Sequence, residues 1–137
     1  QTDACSALVQ LKGDQSSAVP LLYAAASYGH LAMVRELLKR GASANLPNSL
    51  GGTALMGAAF NSHLSIVLVL LQHSANPDLQ SIDCNTALMA AADGGHVACV
   101  QALLQAKANP DLQANNGGTA LMGAADEGHE ACVKALL

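Results

Sequence analysis

The segment Thr53-Ala54-Leu55-Met56 returns as Thr86-Ala87-Leu88-Met89 and again as Thr119-Ala120-Leu121-Met122, each copy 33 residues after the last. The copies stay in register without insertion or deletion. Residues 84–104 match 117–137 at 15 of 21 positions, and Ala75-Asn76-Pro77-Asp78-Leu79-Gln80 reappears unchanged as Ala108-Asn109-Pro110-Asp111-Leu112-Gln113. A more diverged first copy runs Pro20-Leu21-Leu22-Tyr23-Ala24-Ala25-Ala26, and His30, His63, His96 and His129 keep the same phase. A unit this short cannot enclose a core of its own. The copies must therefore stack and bury one continuous core between them, which is the pattern of a solenoid.

Each unit reads as helix, turn, helix, loop. Thr53, Thr86 and Thr119 precede small apolar runs and suit N-cap positions, the hydroxyl taking an orphan backbone N–H. These first helices should end near Asn61, Gly94 and Glu127. Ala58-Ala59, Ala91-Ala92 and Ala124-Ala125 present almost no side chain, which lets neighbouring helices approach closely. A Gly-His or Ser-His turn then leads into a second helix such as 97–106, where Val97, Val100, Leu103 and Leu104 make an inward stripe. Gly41 stands where that helix stops, a place that commonly needs positive φ, and Ser74 and Lys107 occupy the equivalent slots at a steric cost.

At these residues the chain resembles the ankyrin-repeat family, whose unit reads G-x-T-P-L-H-x-A-A-x-x-G-H-x-x-V-V-x-L-L-L-x-x-G-A-D. The run from Gly117-Gly118-Thr119-Ala120-Leu121-Met122 through Gly128-His129, closing on Val133 and Leu136-Leu137, follows it closely. The resemblance covers residues 18–137 and implies an all-α solenoid of stacked helix-turn-helix units with hairpin-like loops, in repeats 18–50, 51–83, 84–116 and 117–137, the last truncated. Residues 1–17 are out of phase and are expected to form a short N-terminal capping segment. Two departures stand out. The family's proline is Ala54, Ala87 and Ala120, and its histidine is Met56, Met89 and Met122, so the family's threonine–histidine hydrogen bonding is not expected.

Composition agrees with one elongated domain. Tyr23, Tyr28 and Phe60 are the only aromatics, and thin alanine-lined helix layers need little aromatic bulk. The longest strongly apolar stretch, residues 66–71, is far short of the roughly 20 residues of a membrane span. Six Lys and Arg against ten Asp and Glu give a net charge of −4, which argues against nucleic acid as a partner. Arg35, Lys39 and Arg40 share one second helix and read as a solvated outer face.

The sharper chemical readings fail on spacing. Stacked helices lie about 8–10 Å apart, whereas zinc ligands approach to about 2.1 Å, so the four in-phase histidines cannot share one ion and a turn-ordering role is expected. His73, outside that ladder, reads as a cation at a helix end. No Cys pair has C-x-x-C spacing; Cys99 and Cys132 share the interior slot of Met33 and Ile66 and behave as small hydrophobes, while Cys84 replaces a loop glycine. A reduced, intracellular setting fits, with a reactive thiol at Cys84 as the alternative. There is no P-loop, no H-E-x-x-H and no serine with converging His and Asp, so neither catalysis nor a cofactor is expected.

Function then rests on surfaces. The family resemblance implies a concave side, built from hairpin tips and first-helix ends, on which protein partners bind. Carried over, the tips are Ser49-Leu50 with Gly52, Ile82-Asp83 with Asn85, and Asn115-Asn116 with Gly118. The helix-end slots are Ser27-Tyr28, Phe60-Asn61, Asp93-Gly94 and Asp126-Glu127. Tyr28, Leu50, Phe60 and Ile82 are apolar where the repeat does not demand it, and such residues make natural anchors. Asp83, Asp93, Asp126 and Glu127 follow on the C-terminal side. The expected ligand is a protein or peptide with apolar and basic residues. End-to-end self-association through an apolar face at Leu136-Leu137 is the alternative. Asn45 resembles ankyrin loop asparagines that are hydroxylated; local turn bonding is its other reading.

Overall fold

The computed structural model describes residues 18–137, and the expected capping segment 1–17 lies outside the described residues. Eight helices follow one another: α1 (Ala18–Ser27), α2 (Leu31–Lys39), α3 (Ala54–Phe60), α4 (Leu64–Gln72), α5 (Ala87–Asp93), α6 (Val97–Gln105), α7 (Ala120–Asp126) and α8 (Glu130–Leu136). No strand occurs among the described residues. The odd-numbered helices are the first helices of the four copies and the even-numbered ones the second.

The threonines cap as the sequence requires. The Oγ1 atoms of Thr53, Thr86 and Thr119 accept from the backbone N–H of Met56, Met89 and Met122 at 3.3, 3.2 and 3.3 Å. In each case the hydroxyl serves its own helix, in keeping with the absence of a histidine three residues on. Asn61, Gly94 and Glu127 are the C-caps of α3, α5 and α7.

Within a copy the two helices lie against each other, and between copies like packs on like. The alanine pairs sit at the centre of this stack: Ala58, Ala59, Ala91 and Ala92 are wholly buried. Leucines and branched residues fill the layer between first and second helices, with Leu37, Leu55, Ile66, Leu70, Leu88 and Leu103 fully enclosed. Each such side chain contributes about 1.5–3 kcal/mol of burial free energy. The predicted stripe on α6 is half right in depth: Val100 and Leu103 are buried, while Val97 and Leu104 pack on the core edge. The first helices touch their counterparts in the next copy more extensively than the second helices do.

Leu121 and Val133 are half-buried where their equivalents Leu88 and Val100 are enclosed, and Leu137 is exposed.

Hydrogen bonds lock the loops from copy to copy. Leu50 O accepts from Ile82 N–H at 2.9 Å, and Asp83 O accepts from Asn115 N–H at 3.1 Å. Nearer the second helices, the Asn45 carboxamide donates to Ser74 O at 3.0 Å and accepts from Asn76 N–H at 2.6 Å. Asp78, one copy on, accepts from Asn109 N–H at 2.8 Å, but a carboxylate cannot make the donor half of the pair.

The second helices stop through left-handed residues, with φ of +100° at Gly41, +67° at Ser74 and +70° at Lys107. Nothing lies within 4 Å of a Cβ built at Gly41, and at Ser74 and Lys107 the positive φ is a conformation that residues with a side chain adopt at a cost.

Two stability changes follow. Lys107→Gly should be neutral or stabilising by up to about 1 kcal/mol, from glycine's freedom at positive φ; a fall in melting temperature would show that α6 terminates by another route. Asp78→Asn should add the missing bond to the following loop and stabilise by about 0.5–1.5 kcal/mol. A urea titration that leaves the midpoint unmoved would contradict this.

Candidate functional site

The side built from the hairpin tips and first helices carries two adjoining grooves. The first, about 400 Å³, is lined by Tyr23, Leu50, Met56, Phe60, Ile82 and Met89, with Asn48, Asp83, Asn85 and Asp93 at its edges. The second, about 380 Å³, is lined by Asn85, Met89, Asp93, Asn116, Met122, Asp126 and Glu127. Asn85, Met89 and Asp93 belong to both, so one wall is shared. The first groove is mainly apolar and the second mainly polar and acidic.

The hairpins set the upper rim. Asn48 N–H donates to Gly52 O at 2.8 Å, Ser81 N–H to Asn85 O at 2.9 Å and Ala114 N–H to Gly118 O at 2.8 Å. Each loop then turns on a left-handed residue, Gly51 (+76°), Cys84 (+63°) or Gly117 (+81°). Cys84 thus occupies a glycine position, half-buried. The turns leave Leu50 and Ile82 standing out at 64% and 66% exposure, facing Phe60 at 63% across the groove. Large apolar side chains at that exposure mark a contact surface.

The in-phase histidines position the lower rim. A turn-ordering role is expected of them, and as N-caps of α4, α6 and α8 they make no side-chain cap bond to their own helix. Instead the imidazole reaches back one copy, His63 Nε2 to Ser27 O at 3.0 Å, His96 Nε2 to Phe60 O at 3.0 Å and His129 Nε2 to Asp93 O at 2.9 Å. A carbonyl only accepts, so Nε2 carries the proton. The partners are the final residues of α1, α3 and α5, whose carbonyls are orphaned at a helix end. The bonds to Phe60 and Asp93 fix the backbone from which groove side chains project. Among the described residues no cluster of His, Cys, Asp and Glu could hold a metal ion.

Asp93 is the electrostatic centre of the second groove. Burial pushes its carboxyl above the ordinary range, and Glu127 and Asp126 push the same way, against an opposing pull from His129. Gly123 makes the room: a methyl there would collide with the Asp93 carboxylate.

Of the predicted contact residues, Leu50, Phe60, Ile82, Asp83, Asn85, Asp93, Asn116, Asp126 and Glu127 line one groove or both. Tyr28, Ser49, Asn61 and Asn115 are exposed but line neither. The Asn61 side chain is turned to its own helix, donating to Gly57 O at 3.1 Å. Tyr23, Met56, Met89 and Met122, which form the groove floors, were not among the predicted residues. They stand 33 apart, so the repeat period itself carries the signal.

A family model of ankyrin repeats, three copies, matches residues 1–81 and 76–137. The chain belongs to the ankyrin-repeat family. Ankyrin repeats are generally protein–protein interaction modules, not enzymes. No curated protein matches this chain. No helix among the described residues is long and apolar enough to cross a membrane.

Asp93 yields a pH prediction. Its native pKa lies above the ordinary value of 3.8, so between those two values the native state holds more protons than the unfolded one and stability falls as pH rises. Above the native value the ionised carboxylate is a standing cost. Asp93→Asn should therefore raise the melting temperature at neutral pH, and the gain should vanish below about pH 3, where the acid is protonated in both states. An equal gain at both pH values would assign the effect to packing against Gly123.

Proposed function

We propose that this chain is a protein-binding module of a scaffold or adaptor, and that its ligand lies along the concave face with apolar residues over Leu50, Phe60 and Ile82 and basic residues over Asp93, Asp126 and Glu127. The observation that carries this reading is the junction of an apolar groove with an acidic one across a shared wall, rimmed by three large exposed apolar side chains. The basic residues elsewhere do not compete for the role. Arg40, the C-cap of α2, is paired with Glu36 at 2.6 Å, which holds the Glu36 carboxyl below its usual range, and Arg35 and Lys39 stand exposed on that same helix.

A reducing, intracellular setting belongs to the same reading. Cys99 and Cys132 are free and buried, and burial pushes both thiols up, which suits inert packing residues.

Head-to-tail self-association is a second reading, in which the half-buried Leu121 and Val133 of copy four would meet a second copy on one face. Light scattering with and without an appended repeat separates the two, because covering that face abolishes concentration-dependent mass only if stacking is real.

Affinity and steering should separate on the concave face. Against a partner captured from the source cells, Phe60→Ala should cost about 1 kcal/mol or more, chiefly through faster dissociation. Asp126→Asn with Glu127→Gln should instead slow association and weaken its salt dependence. Unchanged kinetics in both variants, with loss of binding on substitution of Arg35 or Lys39, would move the working surface to the convex side.

A further inference from the structure

The two grooves are successive steps of one track, and their spacing limits what can occupy both. We propose that the segment bound here is extended, in polyproline II conformation, and carries an apolar side chain and a Lys or Arg three residues apart. The apolar residue sits between Leu50, Phe60 and Ile82, and the cation between Asp93, Asp126 and Glu127. This inference rests on the concave face being the binding face and adds the conformation and spacing of the ligand.

Corresponding points of neighbouring grooves are one repeat apart, which for helices in contact is about 8–10 Å. Polyproline II rises about 3.1 Å per residue with three residues per turn, so residues i and i+3 point the same way about 9.3 Å apart. A β-strand fits poorly, since its same-face residues fall about 6.7 Å or 13 Å apart. An α-helix could match the step with residues i and i+7, about 10.5 Å apart. Its backbone N–H and C=O groups are already paired within the helix, so it leaves nothing for a carboxamide on the shared wall to meet, whereas an extended backbone does.

The chemistry of the two steps fixes the order. Phe60, Leu50 and Ile82 give the first step an apolar mouth, and a side chain seated there removes from water both its own surface and theirs. The second step gathers Asp93, Asp126 and Glu127, with the His129 ring bonded to the Asp93 carbonyl behind them. Burial and the repulsion of Glu127 and Asp126 already disfavour charge on Asp93 and outweigh the pull of His129, so an ammonium or guanidinium placed among the three carboxylates relieves a standing cost. Asn85, on the shared wall, offers a carboxamide along the stretch where the ligand backbone passes, and a polyproline II backbone has its N–H and C=O groups free to meet it.

The test uses synthetic peptides, acetylated and amidated at their ends, on a proline-rich frame with one Leu and one Lys. The two are separated by two, three or four residues in either order, alongside a helix-stabilised peptide with the pair seven apart. Titrated into the whole chain and followed by fluorescence anisotropy, the three-residue spacing should bind roughly three- to tenfold tighter than the others. Replacing its Lys by norleucine should remove that advantage. Phe60→Ala should weaken every peptide, whereas Asp126→Asn with Glu127→Gln should erase only the difference between Lys and norleucine. Equal affinities at all spacings, a preference for the helical peptide, or no binding by any of them would overturn the proposal. Failure of the concave-face reading looks different: peptides bind, Phe60→Ala has no effect, and substitution of Arg35 or Lys39 releases them.

Discussion

The contact between successive first helices through their alanine pairs sets every other dimension of this molecule. Ala58, Ala59, Ala91 and Ala92 are wholly buried and short, so the helices on either side meet almost backbone to backbone. That distance fixes the repeat pitch. The hairpin tips are thereby held at the separation where Leu50 O meets Ile82 N–H, and His96 is brought within reach of Phe60 O. Alanines bury little apolar area, so the favourable free energy comes from the layer they allow to close, where Leu55, Leu88, Leu70 and Leu103 are enclosed. The small residues set the geometry and the large ones supply the stability.

The helix-end slot shows how one position can be structural and variable together. Ser27, Phe60 and Asp93 are chemically unlike, yet each gives its carbonyl to the histidine of the next copy. The bond uses the backbone alone and does not depend on the side chain. The side chains are left free to differ, and they carry an apolar character into one groove and a negative charge into the next. Where a side chain needs room, the residue below yields: Gly57 accommodates Ser27, and Gly123 accommodates Asp93.

What the sequence made legible was whatever acts within one copy. The threonine caps, the ends of the first helices and the left-handed stops at Gly41, Ser74 and Lys107 follow from local chemistry and stand as expected. What acts between copies was harder to see. Periodicity says that His63, His96 and His129 are equivalent, but not that each imidazole leaves its own turn for a carbonyl 36 residues earlier. The groove floors were hidden for the same reason. Met56, Met89 and Met122 stand out in sequence as replacements for a histidine, and only the stacking shows that they face the space between hairpin and helix. Tyr28 is the converse: its composition suggested an anchor, and it is 75% exposed, but its place beyond the end of α1 leaves it outside both grooves.

Pitch and recognition are therefore coupled in a way that globular proteins rarely impose. Each copy touches only its neighbours, so a change at one interface shifts everything beyond it as a rigid body and leaves the internal structure of the other copies intact. A residue larger than alanine at Ala91 or Ala92 would push α7 away from α5 and lengthen the step between the apolar and acidic grooves. By the usual cost of overfilling a packed layer this destabilises by about 1–3 kcal/mol. Its effect on recognition has a different character, because a displacement of about 1 Å is a tenth of the 8–10 Å repeat step, yet about a third of the 3.1 Å rise of an extended ligand. The acidic site would then fall between two ligand side chains. On the proposed mode of binding, the alanine pairs therefore bear on the fit of the ligand as well as on stability, although they lie farthest from solvent.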